Sequence, residues 1–166
     1  EGSMAIREKL ERDELDFGIV IISDASASLQ LLPMSRNQIM ACIPEKHPLA
    51  AHQSISINDI ANADLIMLKE GSFLRQLVLS KIKRANIAPE IVLESNQIET
   101  VKGLIASNVG IAFLLDFIAK GAPGIKAVPF DEPLYVDLGL AWKKDRYISN
   151  AAQSFIDFCR TTMQNG

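Results

Sequence analysis

The stretch Glu14-Leu15-Asp16-Phe17-Gly18-Ile19-Val20-Ile21-Ile22, followed at a distance by Ile39-Met40-Ala41-Cys42-Ile43-Pro44-Glu45-Lys46-His47-Pro48-Leu49-Ala50, decides the fold class. Phe17 to Ile22 is apolar without alternation. In a segment of strand length that pattern predicts a strand covered on both faces, the signature of a parallel sheet. Ile39 to Ile43 reads as a second strand, which Pro44 ends and a polar turn follows.

Working outward, Ser3 to Asp13 reads as an amphipathic helix with Ile6 and Leu10 on one face and Ser3 as its N-cap. Asp24 to Gln30 is polar enough for a loop. Ile57 to Ala61 reads as a short helix begun by Ser56 or Asn58, Leu65 to Leu68 as a strand, and Ser72 to Arg84 as a helix presenting Leu74, Leu77, Val78 and Ile82. Ile91 to Leu93 reads as a strand, Asn96 to Glu99 as a capping box opening a helix through Ser107, and Ile111 to Leu115 as a buried strand. A helical turn over Asp116 to Lys120, strands at Lys126 to Phe130 and Tyr135 to Trp142, and a final helix capped by Ser149 complete the order. That helix carries Ala152, Phe155, Ile156, Cys159 and Met163. Strand and helix thus alternate in an α/β chain with mixed strand directions, better divided into two lobes than one.

Composition narrows the function. The net charge is −3, from 17 basic and 20 acidic residues, and no basic cluster offers a footprint for nucleic acid. Cys42 and Cys159 sit in apolar surroundings without metal-type spacing, so both read as reduced core residues. No uncharged apolar stretch is long enough for a membrane helix, and no secretory leader is evident, which leads to the expectation of a soluble, cytoplasmic protein. His47 and His52 have no nucleophile or acid beside them, and Asp13, Glu14 and Asp16, which flank a helix end and a strand start, read as a solvated face and a structural Asp rather than a carboxylate pair. Gly71 and Gly110 stand outside any phosphate-cradling motif. Neither enzyme chemistry nor a cofactor is expected.

In order and with suitable spacing, the chain carries Leu15-Asp16, His47-Pro48-Leu49-Ala50, Gly71-Ser72-Phe73-Leu74-Arg75, Pro89, Val109-Gly110-Ile111-Ala112-Phe113-Leu114-Leu115 and Trp142-Lys143-Lys144-Asp145-Arg146. Together they resemble the effector-binding domain of LysR-type transcriptional regulators over nearly the whole chain. Two positions depart from the family pattern: Asn108 stands where a glycine is usual, and Asp116 replaces the proline after the leucines. Both suit a helix terminus or a turn. The resemblance implies two Rossmann-like lobes with mixed sheets in the type 2 periplasmic-binding-protein-like architecture, lobe I from residues 1–38 and 140–166 and lobe II from 39–139. It also implies a winged helix-turn-helix, a linker helix and the opening strands of lobe I ahead of Glu1, with Glu1-Gly2-Ser3-Met4 read as native sequence. DNA binding would lie in that absent part.

The implied function is sensing of a small, anionic metabolite held between the lobes. Ser72 is the leading candidate contact, at the start of a helix whose free N–H groups receive anions, although a plain N-cap would also explain it. Lys69 adds charge or is simply solvated. Ser23 ends the first apolar strand, where open α/β sheets hold ligands. Asn96 and Gln97 offer amides or only a cap, and Leu115 and Asp116 line the same mouth. Family members form homodimers or tetramers through this domain, which would draw on Val101, Leu104 and Ile105, some of which must face their own sheet. A periplasmic-type solute-binding protein is the alternative.

Overall fold

The computed structural model describes residues 2–22 and 27–164, with side chains through 162; Ser23, Asp24 and Met163 therefore lie outside the described residues or side chains. The chain forms two compact units, Glu1–Arg36 with Asp137–Gly166 and Asn37–Val136. In chain order the elements are α1 (Ser3–Glu11), β1 (Gly18–Ile22), β2 (Leu29–Pro44), two 3-10 turns (Pro48–Ala51 and Ile57–Ile60), β3 (Asp64–Met67), α2 (Phe73–Arg84), β4 (Glu90–Glu94), α3 (Ile98–Ala106), β5 (Ala112–Leu115), α4 (Asp116–Ala119), β6 (Ile125–Lys143) and α5 (Asn150–Gln164).

In the first unit β1 runs antiparallel to β6, from Gly18 opposite Ala141 to Ile22 opposite Asp137. This corrects the parallel, doubly covered strand expected of Phe17 to Ile22. The apolar run instead serves two unequal faces: Val20 is buried, whereas Ile19 is 54% exposed. One face packs Val20, Leu29 and Ala141 against Leu10 of α1, and the other packs Leu140 and Trp142 against Ile156 and Cys159 of α5. The two-residue period of β6 explains why Leu140 and Trp142 go one way and Ala141 the other. Phe17 stacks on Phe155 with ring centroids 4.8 Å apart.

Helix α1 is not capped by Ser3. Gly2 is the N-cap, and the Ser3 hydroxyl accepts a hydrogen bond from the Ile21 N–H at 2.8 Å, tying the helix to β1. Past its other end, Asp13 takes a left-handed φ of 63° while Glu14 N–H returns to Lys9 O. Its carboxylate meets Lys143 Nζ at 2.5 Å and Arg146 Nε at 3.7 Å, and Arg146 also binds Asp16 at 2.8 Å. Asp13 and Asp16 thus clip α1 and the β1 approach to the end of β6.

The second unit is built on β5. Ile39 to Cys42 of β2 pair antiparallel with Leu115 to Ala112, and β3 pairs parallel with β4, from Asp64 opposite Glu90 to Met67 opposite Glu94. A parallel bridge between Leu65 and Ile111 joins them: Ile66 N–H donates to Ile111 O and Ile111 N–H to Asp64 O, both at 2.8 Å. Gly110 makes that approach feasible, since a Cβ there would lie 2.5 Å from the Asp64 carbonyl oxygen. One face of this sheet buries Cys42, Ile66, Ala112 and Leu114 with Val101 and Ile105 of α3. On α2, the expected face is buried at Leu74, Val78 and Ile82.

Several expected boundaries merge. Leu31 to Pro33 belong to β2 rather than to a connection, and the two late strands are one, β6. Ser56 begins the second 3-10 turn, with a capping box to Asp59. Asn108, with φ 60°, ends α3 in the left-handed conformation that usually favours glycine and that asparagine also adopts. The expected Ser149 cap is present, its hydroxyl accepting from Ala152 N–H at 3.2 Å.

Two consequences are measurable. Gly110→Ala forces the β3–β5 bridge apart and should destabilise the domain by about 1–3 kcal/mol in denaturant unfolding, the usual range for overpacking. The Asp13 carboxyl is held below its ordinary 3.8, chiefly by its hydrogen bond from Lys143 and further by the charges of Lys143 and Arg146. A depressed folded value stabilises the protein above pH 3.8 and loses that contribution as pH falls through the folded value. Melting temperatures of the wild type and Asp13→Asn should therefore differ at neutral pH and converge under acid; a constant difference would assign the effect to packing.

Candidate functional site

Because β3 is parallel both to β4 and, across the bridge at Leu65, to β5, the C-terminal ends of these three strands share one edge of the second unit. The junctions that follow, residues 68–72, 95–97 and 115–116, lead into α2, α3 and α4. In open α/β sheets such an edge is where ligands are received.

Ser72 is the N-cap of α2. Its hydroxyl accepts from Arg75 N–H at 3.4 Å, and the residue is 9% exposed. Satisfying Arg75 leaves the other first-turn N–H groups without intrahelical acceptors, and they add to the positive end of a 12-residue helix. Gly71, at φ 83°, turns the chain beside it with no other atom within 4 Å of where a Cβ would sit.

Asn96 does not form the expected capping box. Its Oδ1 accepts from Lys69 N–H at 2.9 Å, fastening the loop after β4 to the loop after β3. Gln97 is the N-cap of α3 without a side-chain cap, while its N–H donates to Ser95 Oγ at 3.1 Å and its Oε1 accepts from the Thr100 hydroxyl. Lys69, Asn96 and Gln97 are exposed. Leu115 is buried at the end of β5, and Asp116 Oδ1 accepts from its neighbour's N–H, Phe117, at 2.9 Å.

The structure therefore brings Ser72, Lys69, Asn96, Gln97, Leu115 and Asp116 to one sheet edge; Ser23 is outside the described residues. Arg75 was missed as a positioning group, although it lies within a quoted motif. Its guanidinium donates to Leu68 O at 2.6 Å and pairs with Glu94 at 2.6 Å, bracing the ends of β3 and β4. No periodicity reveals that pairing, because Arg75 and Glu94 meet only through the parallel register. Of the three proposed contact residues on α3, Val101 and Ile105 are buried in their own core, and Leu104 is half-buried against it.

Burial pushes the Cys42 thiol up to about 12, so it is not a thiolate at neutral pH. No cluster of three potential metal ligands occurs among the described residues. Among those residues, no helix is long and apolar enough to cross a membrane.

The family model described as "LysR substrate binding domain" matches residues 1–164. The chain is 30% identical over 149 residues to the uncharacterized HTH-type transcriptional regulator YybE of Bacillus subtilis (strain 168), covering 89% of this chain and 51% of that protein. To the transcriptional dual regulator GltC of the same organism it is 27% identical over 124 residues, covering 73% and 41%. The chain thus spans about half the length of these curated relatives. Its backbone is similar to the effector binding domain of QuiR in complex with shikimate, with a TM-score of 0.88 and 25% identity over 99% of this chain and 79% of that one. Similarity to the CcmR regulatory domain of Synechocystis PCC6803 in complex with 2-PG is equal in score and identity, over 99% and 81%. The fold is the type 2 periplasmic-binding-protein-like fold of those domains. This chain belongs to the LysR substrate binding domain family.

Proposed function

We propose that this domain senses a small anionic metabolite for a bacterial LysR-type, DNA-binding transcriptional regulator, with the metabolite received at the C-terminal edge of β3, β4 and β5. Ser72 carries the reading: a nearly buried hydroxyl at the N-terminus of a long helix, beside Lys69, whose backbone is tied to Asn96. Arg75 is neutralised by Glu94, so the edge offers helix N–H groups and one solvated ammonium rather than a bidentate clamp. Micromolar or weaker affinity follows. The small molecules named for QuiR and CcmR support the class of role, and relatives named as transcriptional regulators support it over a solute-binding protein. The regulator would work in the cytoplasm, reach DNA through a helix-turn-helix outside this chain, and assemble as a homodimer or tetramer. Val101 and Ile105 would shape that interface from beneath, leaving Leu104 as the side chain of the three that reaches a partner.

Thermal-shift screening of carboxylates, neutral sugars and amines tests the ligand class, and stabilisation by neutral compounds or amines alone at this edge would sink it. Ser72→Ala should cost about 0.5–2 kcal/mol of stability as a lost cap, and should also weaken binding of the best carboxylate about tenfold. Titration calorimetry beside a melting curve separates the two; an unchanged affinity leaves Ser72 a cap only. Light scattering of the full-length regulator should show a dimer or larger at micromolar concentration, and a monomer there would defeat the assembly reading.

A further inference from the structure

We propose that the second unit holds another small-molecule site, for a primary amine with a compact apolar body, in a 260 Å³ cavity between the Ser56–Asn58 turn, the later half of α2 and the middle of β6. Ile55, Ile57, Phe130 and Leu134 form its apolar walls. The floor is fixed in place. Ile55 N–H donates to Pro129 O at 3.0 Å, Asp131 N–H donates to Ile55 O at 2.9 Å, and Phe130 stacks on Phe113 with centroids 5.8 Å apart.

Three charged residues line the same cavity: Lys81, Asp131 and Glu132. Lys81 Nζ is engaged by Glu132 at 3.0 Å. The Asp131 carboxylate accepts a hydrogen bond from the Ser54 hydroxyl, and among the described residues no cation pairs with it. The uncompensated charge beside the apolar walls is therefore negative. A carboxylate ligand would meet two acids and have to displace Glu132 from Lys81, whereas an ammonium meets Asp131 with nothing to displace and forms a charge-assisted hydrogen bond. The volume lies just under the roughly 300 Å³ at which ordinary ligand pockets begin, which suits one ring with a short chain.

This site is separate from the edge that holds Ser72. Lys81 lies about 13 Å further along α2 at 1.5 Å per residue, so the proposal stands or falls independently of the anion reading.

The test is an NMR titration of the ¹⁵N-labelled 166-residue chain with phenethylamine, 3-phenylpropionate and 2-phenylethanol. Phenethylamine should give saturable shifts confined to the segments around 54–58, 81 and 130–134, and bind more tightly than the acid or the alcohol. Asp131→Asn keeps an oxygen for Ser54 and should weaken phenethylamine about tenfold, while Asp131→Glu retains most of the affinity and Leu134→Trp, which fills the cavity, removes it. Non-saturable shifts, equal binding of the three compounds, shifts centred on residues 69–72 and 95–97, or an Asp131→Asn variant that is folded and binds as well as the wild type would each overturn the site.

Discussion

The close approach of Gly110 to the Asp64 carbonyl is the constraint on which the second unit depends. It lets the chain entering β5 lie alongside β3, so the bridge through Ile66 and Ile111 forms with two hydrogen bonds of 2.8 Å. With β3 already parallel to β4, three strands point the same way, and the helices that follow them begin on a common edge. Ser72, Asn96 and Asp116 are distant in sequence. They share a locale because one residue lacks a side chain, which gives the Val109-Gly110-Ile111 motif a physical reason.

Much of this was legible in the sequence, and the misses have common causes. Helix α2 and its Ser72 cap could be read from a 3.6-residue period and a preceding glycine, and the order of elements followed from alternating apolar runs. Phe17 to Ile22 misled because an apolar run fixes neither strand direction nor the cover on each face; its partner, β6, is more than a hundred residues away, and Ile19 is left exposed. Pro33 and the segment around Asp131 looked like breaks, yet β2 and β6 continue through them, since proline and charged residues are tolerated where a strand has a solvated side. At Asn96, the sequence pattern of a capping box was satisfied, but the side chain binds Lys69 N–H in the neighbouring loop. Local pattern cannot rank a local acceptor against one supplied by tertiary structure.

Candidate site residues divide in the same way. The sequence pointed to the polar groups at helix starts, where the chemistry is local. Arg75 was invisible as a brace because its role needs Leu68 O and Glu94 together, and Glu94 is positioned only by the parallel register of β4. On α3, the family resemblance drew the interface to Val101, Leu104 and Ile105, and the same residues also serve Cys42, Ile66 and Ala112 beneath the helix. An apolar helix face toward its own sheet and one toward a partner are written in the same letters.

The charge arrangement in the second unit argues for two ligand polarities within that one unit. At the edge, Arg75 is neutralised by Glu94, and the remaining positive field comes from the α2 terminus and Lys69. Near the other half of α2, Lys81 is neutralised by Glu132, and the remaining charge is Asp131. Each ion pair removes the side chain that would otherwise dominate its neighbourhood. What is left is weaker and of opposite sign at the two places, a helix terminus in one and a single solvated carboxylate in the other. Solvent and salt screen both, so discrimination between ligands must come largely from the apolar walls: little at the edge, where Leu115 is the buried lining residue, and more in the cavity framed by Ile55, Phe130 and Leu134.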